Sequence, residues 1–99
     1  MIRTARVLTD AHGSGFRFID LTELPPGTSV GIHTHDEDDE EVYVIISGCG
    51  TMMLGNESFP VGPGDVIRNL PGGTHGLDNT GSAPLLMVVL DVSGANGTP

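Results

Sequence analysis

A chain of 99 residues has room for one domain around one core. Its formal charge of −9 sets 13 acidic residues against four arginines, Arg3, Arg6, Arg17 and Arg68; with no basic patch, nucleic acid and anionic membrane surfaces are excluded as partners. The longest apolar run, residues 85–90, is six long, far short of the ~20 needed to span a bilayer.

Residues 1–7 carry charge but no apolar signal core, and Cys49 is the single cysteine, so no intrachain disulfide can form. Both observations fit a reducing compartment, and the expected location is cytoplasmic.

Fifteen glycines and seven prolines cut the chain into short pieces. Where a period can be read it is two, not 3.6. The pattern predicts strands over residues 2–8, 16–22, 28–35, 41–47, 50–54, 57–61, 65–69, 74–79 and 85–92, and no helix of ten or more residues. After the first strand, Asp10-Ala-His-Gly-Ser-Gly15 reads as a loop that leaves His12 exposed. Pro25-Pro26-Gly27 turns the chain into strand 28–35, where His33 and His35 alternate onto one face. The run Asp36-Glu-Asp-Asp-Glu-Glu41 begins as a solvated loop; its end would be relieved by a nearby cation.

Strand 41–47 sets Glu41, Tyr43 and Ile45 on one face and Val42, Val44 and Ile46 on the other. Both faces are largely apolar, so both should be covered, and residues 85–90 repeat the pattern. A barrel covers its own inner face. The outer face calls for a second subunit, which predicts a homodimer; strand 2–8 is the alternative cover.

Cys49, between two glycines, reads as a turn residue, and Met52, Met53 and Met87 as core. Gly62-Pro63-Gly64-Asp65 is a turn that Asp65 serves. Pro71-Gly72-Gly73 delivers His75, and Asn79-Thr80-Gly81 turns the chain again. The last residues, 94–99, read as a frayed or partner-dependent end. Many short strands at this spacing mean an all-β sandwich, jelly roll or barrel.

The conjunction of Gly27-x5-His33-x-His35, a strand opening on Glu41-x6-Gly48, and Gly64…Gly72-x2-His75-x3-Asn79 resembles the two motifs of the cupin family. Five residues separate His35 from Glu41, one or two more than the family pattern. Glu40 restores that spacing but leaves Gly48 one place late, so Glu41 is preferred. In the second motif the proline stands one place late, at Pro71. The resemblance implies a single-domain cupin jelly-roll over residues 1–99, with its first motif at about 27–48 and its second at about 64–79. The pattern is that of a small type 2, mannose-6-phosphate isomerase-like member.

It also implies one divalent metal held by His33, His35, Glu41 and His75. The ligand chemistry agrees: three imidazoles and a carboxylate suit Zn, Mn, Fe, Ni, Co or Cu better than Ca or Mg. On the site face, Tyr43 is a candidate for orienting substrate or donating a proton. Arg68 is a candidate for holding a substrate carboxylate or phosphate, the alternative being an outward arginine. The expectation is an enzyme acting on a small oxygen-rich substrate by chelation, of sugar isomerase, epimerase, lyase or cyclase type. The alternatives are a metal-dependent dioxygenase, a non-catalytic module binding a small molecule or metal, and a metal that only staples a small core.

Overall fold

The computed structural model describes residues 1–9, 16–34 and 39–93, with residues 8, 9, 33, 39 and 93 described by their backbone alone. The expectations for His12, His35, the acidic residues 36–38 and the end at 94–99 lie outside the described residues. The described residues form nine strands: β1 Arg3–Thr9, β2 Phe16–Leu24, β3 Ser29–Thr34, β4 Asp39–Ser47, β5 Gly50–Leu54, β6 Glu57–Val61, β7 Val66–Asn69, β8 Thr74–Asp78 and β9 Leu85–Ser93. Each falls where the period-two pattern and the Gly/Pro turns put it.

Two antiparallel sheets face each other in a jelly roll, one ordered β1-β2-β9-β4-β7 and the other β3-β8-β5-β6. The His75 strand, β8, pairs with β3 and β5, not with its predecessor β7, which lies in the opposite sheet. The turn at 70–73 therefore carries the chain from one sheet to the other, and it is this crossing that faces β8 toward β4.

Between the sheets Leu24, Ile45, Met52, Leu77, Leu85 and Met87 are fully buried, joined by Val61, Ile67, Val89 and the ring of Tyr43. Each large aliphatic side chain so buried contributes roughly 1.5–3 kcal/mol. Met52 and Met87 belong to this core, and Met53 is half-buried.

The turns are fixed by the residues that mark the sequence motifs. Gly27, Gly48, Gly64 and Gly72 all have positive φ. Gly48 is the most constrained: at φ +82°, an added Cβ would strike the Pro84 carbonyl oxygen and lie 2.7 Å from Leu85 Cα. Asn79 Nδ2 donates to the carbonyls of Leu24 (2.8 Å) and Ala83 (2.9 Å), while its Oδ1 accepts from the Gly81 amide at 2.9 Å. One amide thus ties the end of β2 to the loop before β9. Asp65 Oδ2 accepts from the Gly62 amide at 2.8 Å, closing its own turn.

The outer face of the five-stranded sheet is aliphatic across its width. Register aligns Ala5, Leu21, Val88, Val44 and Val66 in one row, with Ile19, Leu90 and Val42 in the next. Leu21, Ile46 and Val66 are exposed. β1 does not cover this face, because it joins the sheet as an edge strand beside β2.

Candidate metal centre

β4 begins at Asp39, two residues before the predicted start, so Glu41 is its third residue; it shares the inward face with Tyr43 and Ile45. Glu41 is 8% exposed and His75 is 1% exposed, and the sheet crossing brings them together: His75 Nε2 lies 3.2 Å from Glu41 Oε1. With Nε2 protonated, the ring N–H donates to the carboxylate. The separation also fits a shared cation. Two donors about 2.1 Å from one ion lie about 3.0 Å apart at a right angle and about 3.4 Å apart at a tetrahedral angle, and 3.2 Å falls between.

The backbone of His33 stands directly opposite His75 in the β3–β8 register, after a shift between Val30 and His33. The His33 side chain and all of His35 lie outside what is described. Among the described residues no group of three His, Cys, Asp or Glu side chains forms a metal-holding cluster.

Glu40 and Glu41 separate cleanly. Glu40 takes the outer face, where it accepts from Arg68 Nε at 2.5 Å and Nη2 at 3.3 Å. The Arg68 side chain is 65% exposed, and this pairing holds its guanidinium further above its ordinary value. The structure therefore places Arg68 away from the His75–Glu41 pair. The reason is parity: Arg68 pairs with Val42 and Asn69 with Glu41, so Arg68 shares the outer face and Asn69 the inner one.

Tyr43 faces inward beside the pair, its ring edge-on to His75 at 5.5 Å and 84°. Burial, and secondly the Glu41 carboxylate, push its phenol well above the ordinary tyrosine value. The phenol is thus protonated near neutral pH, with an O–H able to donate a hydrogen bond.

Four inward polar residues were not singled out from the sequence: Asp20 and Thr22, in register with the core residues Val89 and Met87, and Asn69 and Asp91. Asn69 is 1% exposed, and neither amide atom has a hydrogen-bond partner among the described residues. Asp91 is 3% exposed and pairs with Glu41 from the other side, so Asn69, Glu41 and Asp91 form one row across β7, β4 and β9. The signal for Asn69 was its two-residue offset from Ile67 on a strand with a buried apolar face. Asp91 had the same offset from Val89, but β9 is apolar on both faces, which hides its parity.

Comparison with known proteins agrees with this architecture. An oxalate-binding protein of Thermotoga maritima is 40% identical over 63 residues, 64% of this chain and 51% of that protein. An uncharacterized protein of Methanocaldococcus jannaschii is 40% identical over 62 residues, 63% of this chain and 49% of its own length. The chain thus spans about half the length of the curated relatives it matches. Among solved structures, a predicted oxalate decarboxylase from Thermotoga maritima superposes with a TM-score of 0.87 at 30% identity, over 93% of this chain and 80% of that one. A sugar phosphate isomerase of the cupin superfamily from Silicibacter pomeroyi superposes at 0.78 with 23% identity, over 92% and 59% of the two chains, a likeness of fold alone. Among the described residues no helix is long and apolar enough to cross a membrane. A cupin domain matches residues 20–92, and with its two-sheet jelly roll and inward histidine and glutamate, the chain belongs to the cupin family.

Proposed function

We propose that this cupin binds one divalent transition metal through His33, His35, Glu41 and His75 and holds a small oxygen-rich substrate against it by chelation, as an enzyme of isomerase or lyase type. The observation that carries the reading is the buried His75–Glu41 pair, whose 3.2 Å spacing suits two donors to one ion. When bound, the metal would supply Lewis-acid polarisation of a substrate oxygen. The chain's own residues do the rest. Glu41 and His75 hold the ion inside the barrel, and Tyr43, which keeps its proton, donates a hydrogen bond to a substrate oxygen as negative charge develops there. The ligand types fit Zn, Mn, Fe, Ni, Co or Cu alike, and the same set would serve a dioxygenase.

A second reading is a binding module without turnover, favoured by the name of the Thermotoga oxalate-binding relative. Metal analysis of the purified protein tests what both readings share: about one ion per chain is expected. A content below about one-tenth that stays there after incubation with zinc, manganese or nickel would sink the chelation reading. Ligation requires neutral imidazole, so metal affinity should fall as the solution is acidified from about pH 8 to about pH 5. Turnover of α-hydroxy-carbonyl substrates by the loaded protein separates enzyme from module.

The same proposal includes a homodimer. The aliphatic row Leu21–Val88–Val44–Val66 is continuous, and its flanking charges, Arg3–Glu23 and Arg68–Glu40, are already paired within the chain. A second copy presents the same face, so two such surfaces complement each other about a two-fold axis.

A further inference from the structure

The polar end of the barrel holds more than a metal site requires. Asn69 stands beside Glu41 in the β4–β7 register and is 1% exposed. Its Nδ2 and Oδ1 are both buried and, among the described residues, without a hydrogen-bond partner. A buried amide left so is costly, and a leucine, of the same branched outline though larger, would carry no such cost. An uncommitted donor and acceptor next to the metal-holding glutamate is the arrangement of a group waiting for a ligand.

The electrostatics say which ligand. Glu41 and Asp91 are cross-strand neighbours, both buried, so the inner row already carries two carboxylates. All four arginines are exposed. Arg3 is paired with Glu23, Arg6 with Asp20 and Arg68 with Glu40. Arg6 stands in an inner row with Asp20, Val89 and Tyr43, but its guanidinium is committed to the Asp20 carboxylate. Beyond the metal's own charge, no uncommitted arginine among the described residues faces the Asn69–Glu41–Asp91 row to neutralise a dianion such as oxalate, or a sugar phosphate. Hydrogen bonding points the same way. An ionised carboxylate only accepts; it would satisfy Asn69 Nδ2 and leave Oδ1 facing negative charge. A hydroxyl both donates and accepts, and so satisfies both ends of the amide.

Resting on the chelation reading above, we infer that Asn69 is the specificity-determining residue of this site. It reads a hydroxyl of a neutral hydroxy-carbonyl or polyhydroxy substrate, and the barrel selects against dicarboxylates.

The test compares wild type with Asn69→Leu, using dihydroxyacetone as the neutral probe and oxalate as the dianion. Zinc stoichiometry is measured first. A wild-type protein that takes up no zinc defeats the chelation reading itself, before any ligand is added. In zinc-loaded protein, titration calorimetry should show dihydroxyacetone binding at least ~tenfold more tightly than oxalate. Asn69→Leu should lose at least ~tenfold of that affinity with zinc stoichiometry unchanged. The metal-free variant should melt above wild type, because its unpartnered amide is gone. Oxalate binding more tightly than dihydroxyacetone, a variant within about twofold of wild type for dihydroxyacetone, or a variant that melts lower would each overturn the inference while leaving the metal site standing. Should Asn69→Leu not fold, Asn69→Ser, smaller and still polar, must show the same loss of dihydroxyacetone affinity.

Discussion

The two ends of the barrel interior are built from the same strands but obey opposite rules. Along β4 the inward residues run Glu41, Tyr43, Ile45; along β9 they run Asp91, Val89, Met87, Leu85; β7 passes from Asn69 to Ile67 and β8 from His75 to Leu77. Antiparallel register stacks the polar members at one end and the apolar members at the other. The apolar end gains stability from every buried methylene. The polar end spends it: an amide such as Asn69, buried without partners, costs about 1–3 kcal/mol. Stability and chemistry are therefore separable by two residues along a single strand.

The sharpest way to break this comparison lies on β8. Leu77→Ala should cost about 2–5 kcal/mol in urea denaturation, the loss expected when a fully buried leucine leaves a cavity. His75→Ala, two residues away on the same face, should cost far less in metal-free protein. Comparable losses at the two positions would mean that the polar end is part of the stabilising core.

Metal affinity sharpens the contrast between neighbours on β4. Glu41→Ala should lower zinc affinity at least ~100-fold, since even partners behind a metal ligand are worth ~10–100-fold. Glu40→Ala removes only an exposed pair with Arg68, of the kind worth ~0–1 kcal/mol, and should leave zinc affinity within about threefold. The reverse result would assign the carboxylate to Glu40.

A smaller effect on the fold, but a visible one on assembly, is expected from the opposite side of the same strand. Val44→Asp puts a charge in the centre of the aliphatic row without touching the interior. Sedimentation should find wild type as a dimer and the variant as a folded monomer with its metal content unchanged. A wild-type monomer would mean that this face is covered by something other than a second copy.

The strands were legible because alternation and turn chemistry agree: Pro25-Pro26-Gly27, Gly55-Asn56 and Gly62-Pro63-Gly64 each end or begin one. The candidate site was legible as far as Glu41 and His75, which the fold brings together. Strand partnership was not, because a turn such as 70–73 can return the chain beside its predecessor or send it to the other sheet, and local sequence does not distinguish the two. Inside and outside were equally hidden on β9, where both faces are aliphatic, and Asp91 passed unnoticed. Arg68 shows the converse: its outward position follows at once from parity once Asn69 is known to face Glu41.

Tyr43 marks the border between the two ends and gives the finest probe of it. The chain has one tyrosine and no tryptophan, so tyrosinate absorbance reports this phenol alone. Its folded value is raised by burial and then by Glu41, so the fold favours the protonated form. Below the ordinary value of about 10, folded and unfolded chains are both protonated and the stabilisation is fully present. As the pH rises past that value, the unfolded chain releases the proton first, and stability is progressively lost as the pH climbs toward the folded value. Tyrosinate absorbance should therefore emerge together with loss of the β-sheet circular dichroism signal, not before it. Glu41→Gln removes the smaller of the two causes and should move the onset only slightly lower. A phenol that ionises near its ordinary value while the sheet signal stays intact would place Tyr43 in solvent and erase the border between the two ends.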